Sequence, residues 1–321
     1  MFFRGQIVGK YKILSTIGSG GFGTVFLAED TWIDKKVALK VPHRQSADFG
    51  ELLREARLLA SLNHPNIVTI LTAERLDNVF FIVMEFVPGD TLESVIAQSG
   101  ALELGQALDF ACQICNAVDH AHKQGVLHRD LRPSNVLVAA SGLAKVADFG
   151  TSRFLELASL GTTIIGSPPY MAPEQFHGKA LFASDIYSLG VSMYEMLSGA
   201  PPYGTPSPAD VERLMRGELV TPLSTRNPAV TSAVNDIVMK AMAPEVTARY
   251  QRAGDLLDDL LACHVPLATP RPPTPPERTS EVERIQARLR ARATPPARFC
   301  WHCRKPLQAR TSRCPFCGES Q

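Results

Sequence analysis

The sequence predicts an α+β fold in two lobes, strands first and helices second, followed by a small metal-stapled unit. Three observations carry that reading. Residues 10–41 alternate short β-type runs with glycine turns. From Leu104 onward the apolar residues recur at helical spacing instead. The last 22 residues, too few for an apolar core of their own, hold two Cys-x-x-Cys pairs. With 321 residues and 45% hydrophobic content, the chain can bury a sizeable core and form more than one unit.

The elements follow in order. Residues 13–17, 24–29 and 36–41 are strand candidates, each bounded by turn residues. Residues 51–62 read as a helix with Leu52, Glu55, Leu59 and Leu62 on one face. Residues 68–72 and 79–86 complete a small sheet. Residues 104–125 read as a long helix and 184–197 as a second, more buried one. Residues 227–243 and 253–263 supply further helical patterns, and the ordered pattern ends near Cys263. The first unit thus spans 1–264, its lobes running from about 10 to 86 and about 90 to 264.

Residues 265–297 form a Pro/Arg-rich linker. Six of the eleven residues from 266 to 276 are proline, which excludes a helix interior and favours an extended spacer. Residues 279–292 can form a short Arg-rich helix, ended by Pro295 and Pro296. The terminal unit is 298–321. Net charge is +1, but unevenly spread. Residues 271–321 carry eleven Lys/Arg against four Asp/Glu, and residues 1–270 carry 22 against 28. A basic tail on an acidic body suggests an anionic partner, or only a solvated tail. No apolar run approaches a membrane span, and residues 1–9 lack a signal-peptide core. A cytoplasmic protein is expected. Seven cysteines at this length do not suggest a secreted disulfide scaffold.

Several short strings carry chemistry. GSGGFGTV covers residues 18–25 between two strand candidates. Gly18, Gly20 and Gly23 let backbone approach phosphate oxygens without a Cβ in the way. Ser19 and Gly21 fill out the turn, and Phe22 at its tip can shield the phosphates. VALK then puts Lys40 at the end of an apolar strand, among Val37, Ala38, Leu39 and Val41. A buried lysine needs a partner, and Glu55 is the polar position on the Leu52/Leu59 face. HRDLRPSN places Asp130 five residues before Asn135, and ADFG places Asp148 thirteen after it. YMAPE, residues 170–174, follows. A phosphate-covering loop, a cation, a base and a metal ligand arrive in the order that phosphoryl transfer from ATP needs.

These strings, in this order over about half the chain, resemble the eukaryotic-type (Hanks-type) serine/threonine protein kinases. AMAPEVTARYQRAGDLLDDL looks most like the bacterial branch. The resemblance implies a protein-kinase-like fold with a small β-rich N-lobe and a larger α-helical C-lobe. It implies a Lys40–Glu55 pair on the α- and β-phosphates. FIVMEFVPGDTL would join the lobes, with Glu85 to Val87 offering backbone groups to adenine and Met84 behind it. Ile17, Val25, Ala38 and Leu137 would be apolar walls. Asp130 would accept the proton of the substrate hydroxyl, and Asn135 and Asp148 would hold Mg²⁺ or Mn²⁺. Arg132 stands where most serine/threonine kinases carry Lys; it keeps the charge but changes reach and geometry. Some tyrosine kinases use Arg there. Pro133 and GSPPYMAPE, with Ser167 for the usual Thr, resemble the serine/threonine pattern, so protein substrates with Ser/Thr acceptors are expected. Arg129 would answer a phosphate on the loop 148–174, and autophosphorylation at Thr162 or Thr163 is expected there. Glu174 would pair with Arg249, and Asp185 would brace the catalytic loop.

Cys300, Cys303, Cys314 and Cys317 form CxxC-x10-CxxC, a spacing that presents four thiolates to structural Zn²⁺; disulfides or free thiols are the alternatives. His302 is an inferior ligand candidate. Cys112 and Cys115, a lone CxxC inside the long helix, read as core cysteines. Other readings are a pseudokinase-like scaffold, or a module whose zinc ribbon binds nucleic acid or protein. Lys40, Glu55, Asp130, Asn135 and Asp148 together argue for chemistry.

Overall fold

The structure, a computed structural model, describes residues 2–20, 23–43, 49–149, 167–263, 298–299, 302, 306–307, 312–313, 317 and 319–320. The chain divides into two compact units, Met1–Val265 and Pro266–Gln321.

The first lobe is built on a six-stranded antiparallel sheet. Its strands are β1 (Ile7–Val8), β2 (Tyr11–Gly20), β3 (Gly23–Asp30), β4 (Lys35–Pro42), β5 (Ile70–Leu76) and β6 (Val79–Glu85), in the order β1-β2-β3-β4-β6-β5. Strand side chains alternate between faces, and here both faces are used. Val37, Leu39, Phe81 and Val83 join Tyr11, Ile13 and Phe26 in an outer core. Ala38, Phe80, Ile82 and Met84 point the other way, into the main core. The register pairs Ala38 with Met84 and Lys40 with Ile82, so Lys40 shares the inner face. A one-residue slip would turn it outward. β2 runs further than its apolar pattern because the glycine segment itself pairs, Gly18 with Val25 and Gly20 with Gly23. Helix α1 (Phe49–Ala60) buries Leu52, Ala56 and Leu59 toward the inner face.

A three-stranded sheet, β7 (Gly89–Thr91), β8 (Val136–Ala139) and β9 (Ala144–Val146), opens the second lobe. β9 also ties back to the first lobe: Val68 N–H donates to Val146 O and Val146 N–H to Asn66 O. Helix α2 (Leu92–Ser99) starts at Thr91, whose side chain accepts from Ser94 N–H. Helix α3 (Leu104–Lys123) buries Leu108, Phe110, Ile114 and Val118. Helix α4 (Phe182–Ser198) is buried all round from Ala183 to Leu197, the pattern of a central helix. At Gly190 a Cβ would stand 2.7 Å from Met242 Cγ and 3.0 Å from Ala241 Cβ, so only glycine permits that approach. Helices α5 (Pro208–Met215), α6 (Leu223–Arg226), α7 (Ser232–Ala241) and α8 (Ala253–Cys263) complete the lobe. Cys112 and Cys115 are buried, and the Cys115 thiol donates to Ala253 O at 2.9 Å. Among the described residues, no helix is long and apolar enough to cross a membrane.

In the second unit, β10 (Arg298–Phe299) pairs antiparallel with β11 (Pro306–Leu307), and Arg313 bridges Ser320. The linker, its expected helix, and Cys300, Cys303 and Cys314 lie outside the described residues.

Candidate active site

The segment HRDLRPSN runs between α3 and β8, and Asp185 of buried α4 holds its backbone. Asp185, 1% exposed, accepts from His128 N–H and Arg129 N–H, both at 2.8 Å, and lies 2.8 Å from His122 Nε2. Burial pushes its carboxyl upward, but the His122 contact and the His128 N–H outweigh that and hold it low. This is the brace expected of Asp185.

His128 is fixed as well. Its Nε2 meets Ala147 O at 2.9 Å, and Asp130 N–H reaches its Nδ1 at 3.3 Å. A carbonyl only accepts and an amide N–H only donates, so Nε2 donates to Ala147 O and Nδ1 accepts from Asp130 N–H. The His128 ring centroid lies 4.7 Å from that of Phe149, which is buried, with the two planes tilted by 59°. Asn135 Nδ2 donates to Asp130 O at 2.8 Å and to Asp130 Oδ2 at 3.3 Å. Asp130 Oδ1 is buried and has no hydrogen-bond partner among the described residues.

Across the cleft, Lys40, 5% exposed, stands 2.7 Å from Asp148 Oδ1. The expected partner, Glu55, has a side chain outside the described residues, so that pairing is not seen. Lys40 Nζ otherwise finds no aligned acceptor among the described residues. Lys40, Asp148, Phe149 and Met84 line one cavity with Leu59 and Ile70.

The glycine segment divides in two. At Gly23 a Cβ would lie 2.4 Å from Val41 O, so strand packing itself demands glycine. At Gly18 the nearest atom is Val25 Cβ at 3.9 Å, and at Gly20 nothing lies within 4 Å. Packing among the described residues does not explain those two, and a missing Cβ there leaves room beside the backbone. Ser19 pairs with Thr24, while Gly21 and Phe22 lie outside the described residues. Ile17 falls at a register shift and is 48% exposed. Val25 and Leu137 are partly buried against the main core, and Val87 is buried in it. The Glu85 N–H is engaged by Thr69 O, and its carboxylate takes Lys145 Nζ at 2.7 Å.

Arg132 Nη1 donates to Ser167 Oγ at 2.7 Å. Arg249 forks onto Glu174 at 2.7 and 2.8 Å, as expected. Ser159, Thr162 and Thr163 lie outside the described residues. Sequence reasoning missed His122, Lys145, Glu93 and the Tyr170–Glu195 bond of 2.7 Å. Each is a polar residue whose partner lies 25 or more residues along the chain, so local pattern gave no signal.

A family model of the protein kinase domain matches residues 11–264. The chain belongs to the protein kinase family. It is 38% identical over 268 residues to the serine/threonine-protein kinase PrkC of Bacillus subtilis, covering 81% of this chain and 41% of that protein. It is 37% identical over 259 residues to the probable serine/threonine-protein kinase PknB of Lactococcus lactis, 78% of this chain and 41% of the relative. Against the serine/threonine-protein kinase PknB of Mycobacterium tuberculosis, identity is 32% over 302 residues, 89% of this chain and 48% of the other. The chain therefore spans less than half the length of these relatives. A curled-sheet first lobe and a helical second lobe are what the kinase family predicts.

Proposed function

We propose that this chain transfers the γ-phosphate of ATP to serine or threonine hydroxyls of proteins. The observation that carries the reading is Asp130 Oδ1, a buried acceptor without a donor among the described residues, in a loop braced by Asp185, His128 and Asn135. A buried carboxylate oxygen left unpaired is costly, and an incoming hydroxyl supplies the missing donor. Asp130 holds that hydroxyl in line and receives its proton as the bond to phosphorus forms. Lys40, with donors to spare, holds phosphate oxygens, and the backbone at Gly18 and Gly20 lets them approach. Asn135 spends its nitrogen on Asp130, so its Oδ1 together with the Asp148 carboxylate would supply oxygen ligands, a donor set that fits Mg²⁺ or Mn²⁺. The metal, when bound, neutralises phosphate charge. Pro133, Ser167 and the relatives' names support Ser/Thr over Tyr.

ATP turnover with a protein acceptor tests this, followed by phosphoamino-acid analysis. Asp148→Asn, still folded, should lose transfer; equal transfer by the variant rejects the reading. Autophosphorylation at Thr162 or Thr163 belongs to the same proposal, checked by mass spectrometry of residues 148–174 after incubation with ATP. We further propose that Cys300, Cys303, Cys314 and Cys317 hold structural Zn²⁺. In support, one pair follows β10 and precedes β11, and the other falls between the bridged Arg313 and Ser320. Four thiolates leave no open position for catalysis. One zinc per chain by elemental analysis is expected, lost on Cys314→Ser. The tail's excess of basic residues supports an anionic partner, whose binding should weaken steeply with salt.

A further inference from the structure

Arg132 is held from two sides by groups distant in sequence. Nη1 reaches Ser167 Oγ at 2.7 Å, and Nη2 reaches Glu93 Oε1 at 3.3 Å. Ser167 leads into the turn Pro168–Tyr170, while Glu93 sits in the first turn of α2. The guanidinium carbon lies 5.7 Å from the Tyr170 ring centroid, and Tyr170 donates to buried Glu195 in α4. One side chain therefore ties α2, the catalytic loop and the Ser167–Tyr170 segment together.

A lysine at 132 would carry one ammonium at the end of a flexible stem. It could not offer two fixed nitrogens to two elements, as a planar guanidinium does. Glu93 thus has a use in this chain because residue 132 is arginine. Resting on the kinase reading above, we propose that Glu93 is a positioning residue for phosphoryl transfer. By holding the outer nitrogen of Arg132, it fixes the guanidinium against Ser167 and Tyr170. That sets the floor on which the acceptor meets Asp130. Glu93 touches no reacting atom, and its side chain is 49% exposed, so it tunes acceptor handling rather than switching the enzyme on.

The test is a double-mutant cycle in the full chain: wild type, Glu93→Gln, Arg132→Lys and both together. Steady-state kinetics use ATP, Mg²⁺ and dephosphorylated casein. Casein binding is measured in parallel without turnover, so the cycle closes even if the Arg132→Lys enzyme is slow. Glu93→Gln should raise the KM for casein about two- to fivefold, the range a half-exposed ion pair carries, with the KM for ATP unchanged. In the Arg132→Lys background it should add nothing. A Glu93→Gln enzyme identical to wild type overturns the inference. So does an equal loss in both backgrounds, which with a lowered Tm would assign Glu93 to the stability of α2, where a first-turn acid favours the helix. A wild type that transfers no phosphate would instead sink the kinase reading.

Discussion

Asp148 and Arg129 both hold left-handed backbone, with φ of 64° and 69°. Side-chain-bearing residues adopt it at a cost, and only where surroundings over-determine it. Asp185 fixes the Arg129 N–H, and Lys40 meets the Asp148 carboxylate. The strained backbone therefore sits on the residue before Asp130, the proposed base, and on Asp148, the proposed metal ligand. At this scale Asp130→Asn is expected to keep the fold and the KM for ATP. Its kcat should fall about 10²- to 10⁴-fold, the usual share of a positioned base. Steady-state kinetics with a thermal melt of the same sample checks both halves.

Among elements, the β2–β3 hairpin separates two uses of glycine that look alike in the string GSGGFGTV. Gly23 packs against the Val41 carbonyl, whereas a Cβ at Gly20 would meet no described atom within 4 Å. Gly23→Ala should shift the backbone and cost about 1–3 kcal/mol, measured by denaturant unfolding. Gly20→Ala should melt like wild type yet raise the KM for ATP. A result in the reverse order would mean the hairpin is misassigned. Elements also mark the limits of legibility. The apolar run Val37–Val41 and the 104–125 periodicity were plain, because both report burial directly. α2 and α5 were missed, although Thr91 and the Ser207–Asp210 capping box announce them. Both are short, and their apolar faces are too small to register as a period. Residues 227–243 read as one helix, but the helix begins only at Ser232, after its Thr231 cap.

The first unit as a whole is held by buried carboxylates shared between distant segments. Asp185 and Glu174 are each raised by burial and lowered more by partners, His122 in one case and Arg249 in the other. Both end below the usual carboxylate range. A depressed carboxylate stabilises above its unfolded pKa, and that contribution is lost as pH falls through the folded value. Stability should therefore decline below about pH 4, the ordinary carboxylate range. Glu195, raised chiefly by burial, acts in the opposite sense and blunts the fall. Arg249→Met should destabilise by about 3–5 kcal/mol, since it strands a buried carboxylate, and should lessen the acid dependence. Urea unfolding at pH 4 and 7 measures both. Removing residues 266–321 should leave the melting of the first unit unchanged, because the two units are separately compact.

The sequence by itself determined which chemical groups are present, their order along the chain, and which stretches are strands or long helices. Those properties are local, written in residue type and period. Only the tertiary structure decided that Lys40 faces Asp148, that Glu93 meets Arg132 across 39 residues, and that Asp185 grips a loop 56 residues away. Such contacts depend on strand register and on how helices pack. No local pattern encodes them, because a polar side chain looks the same in sequence whether it faces water or a partner brought by the fold.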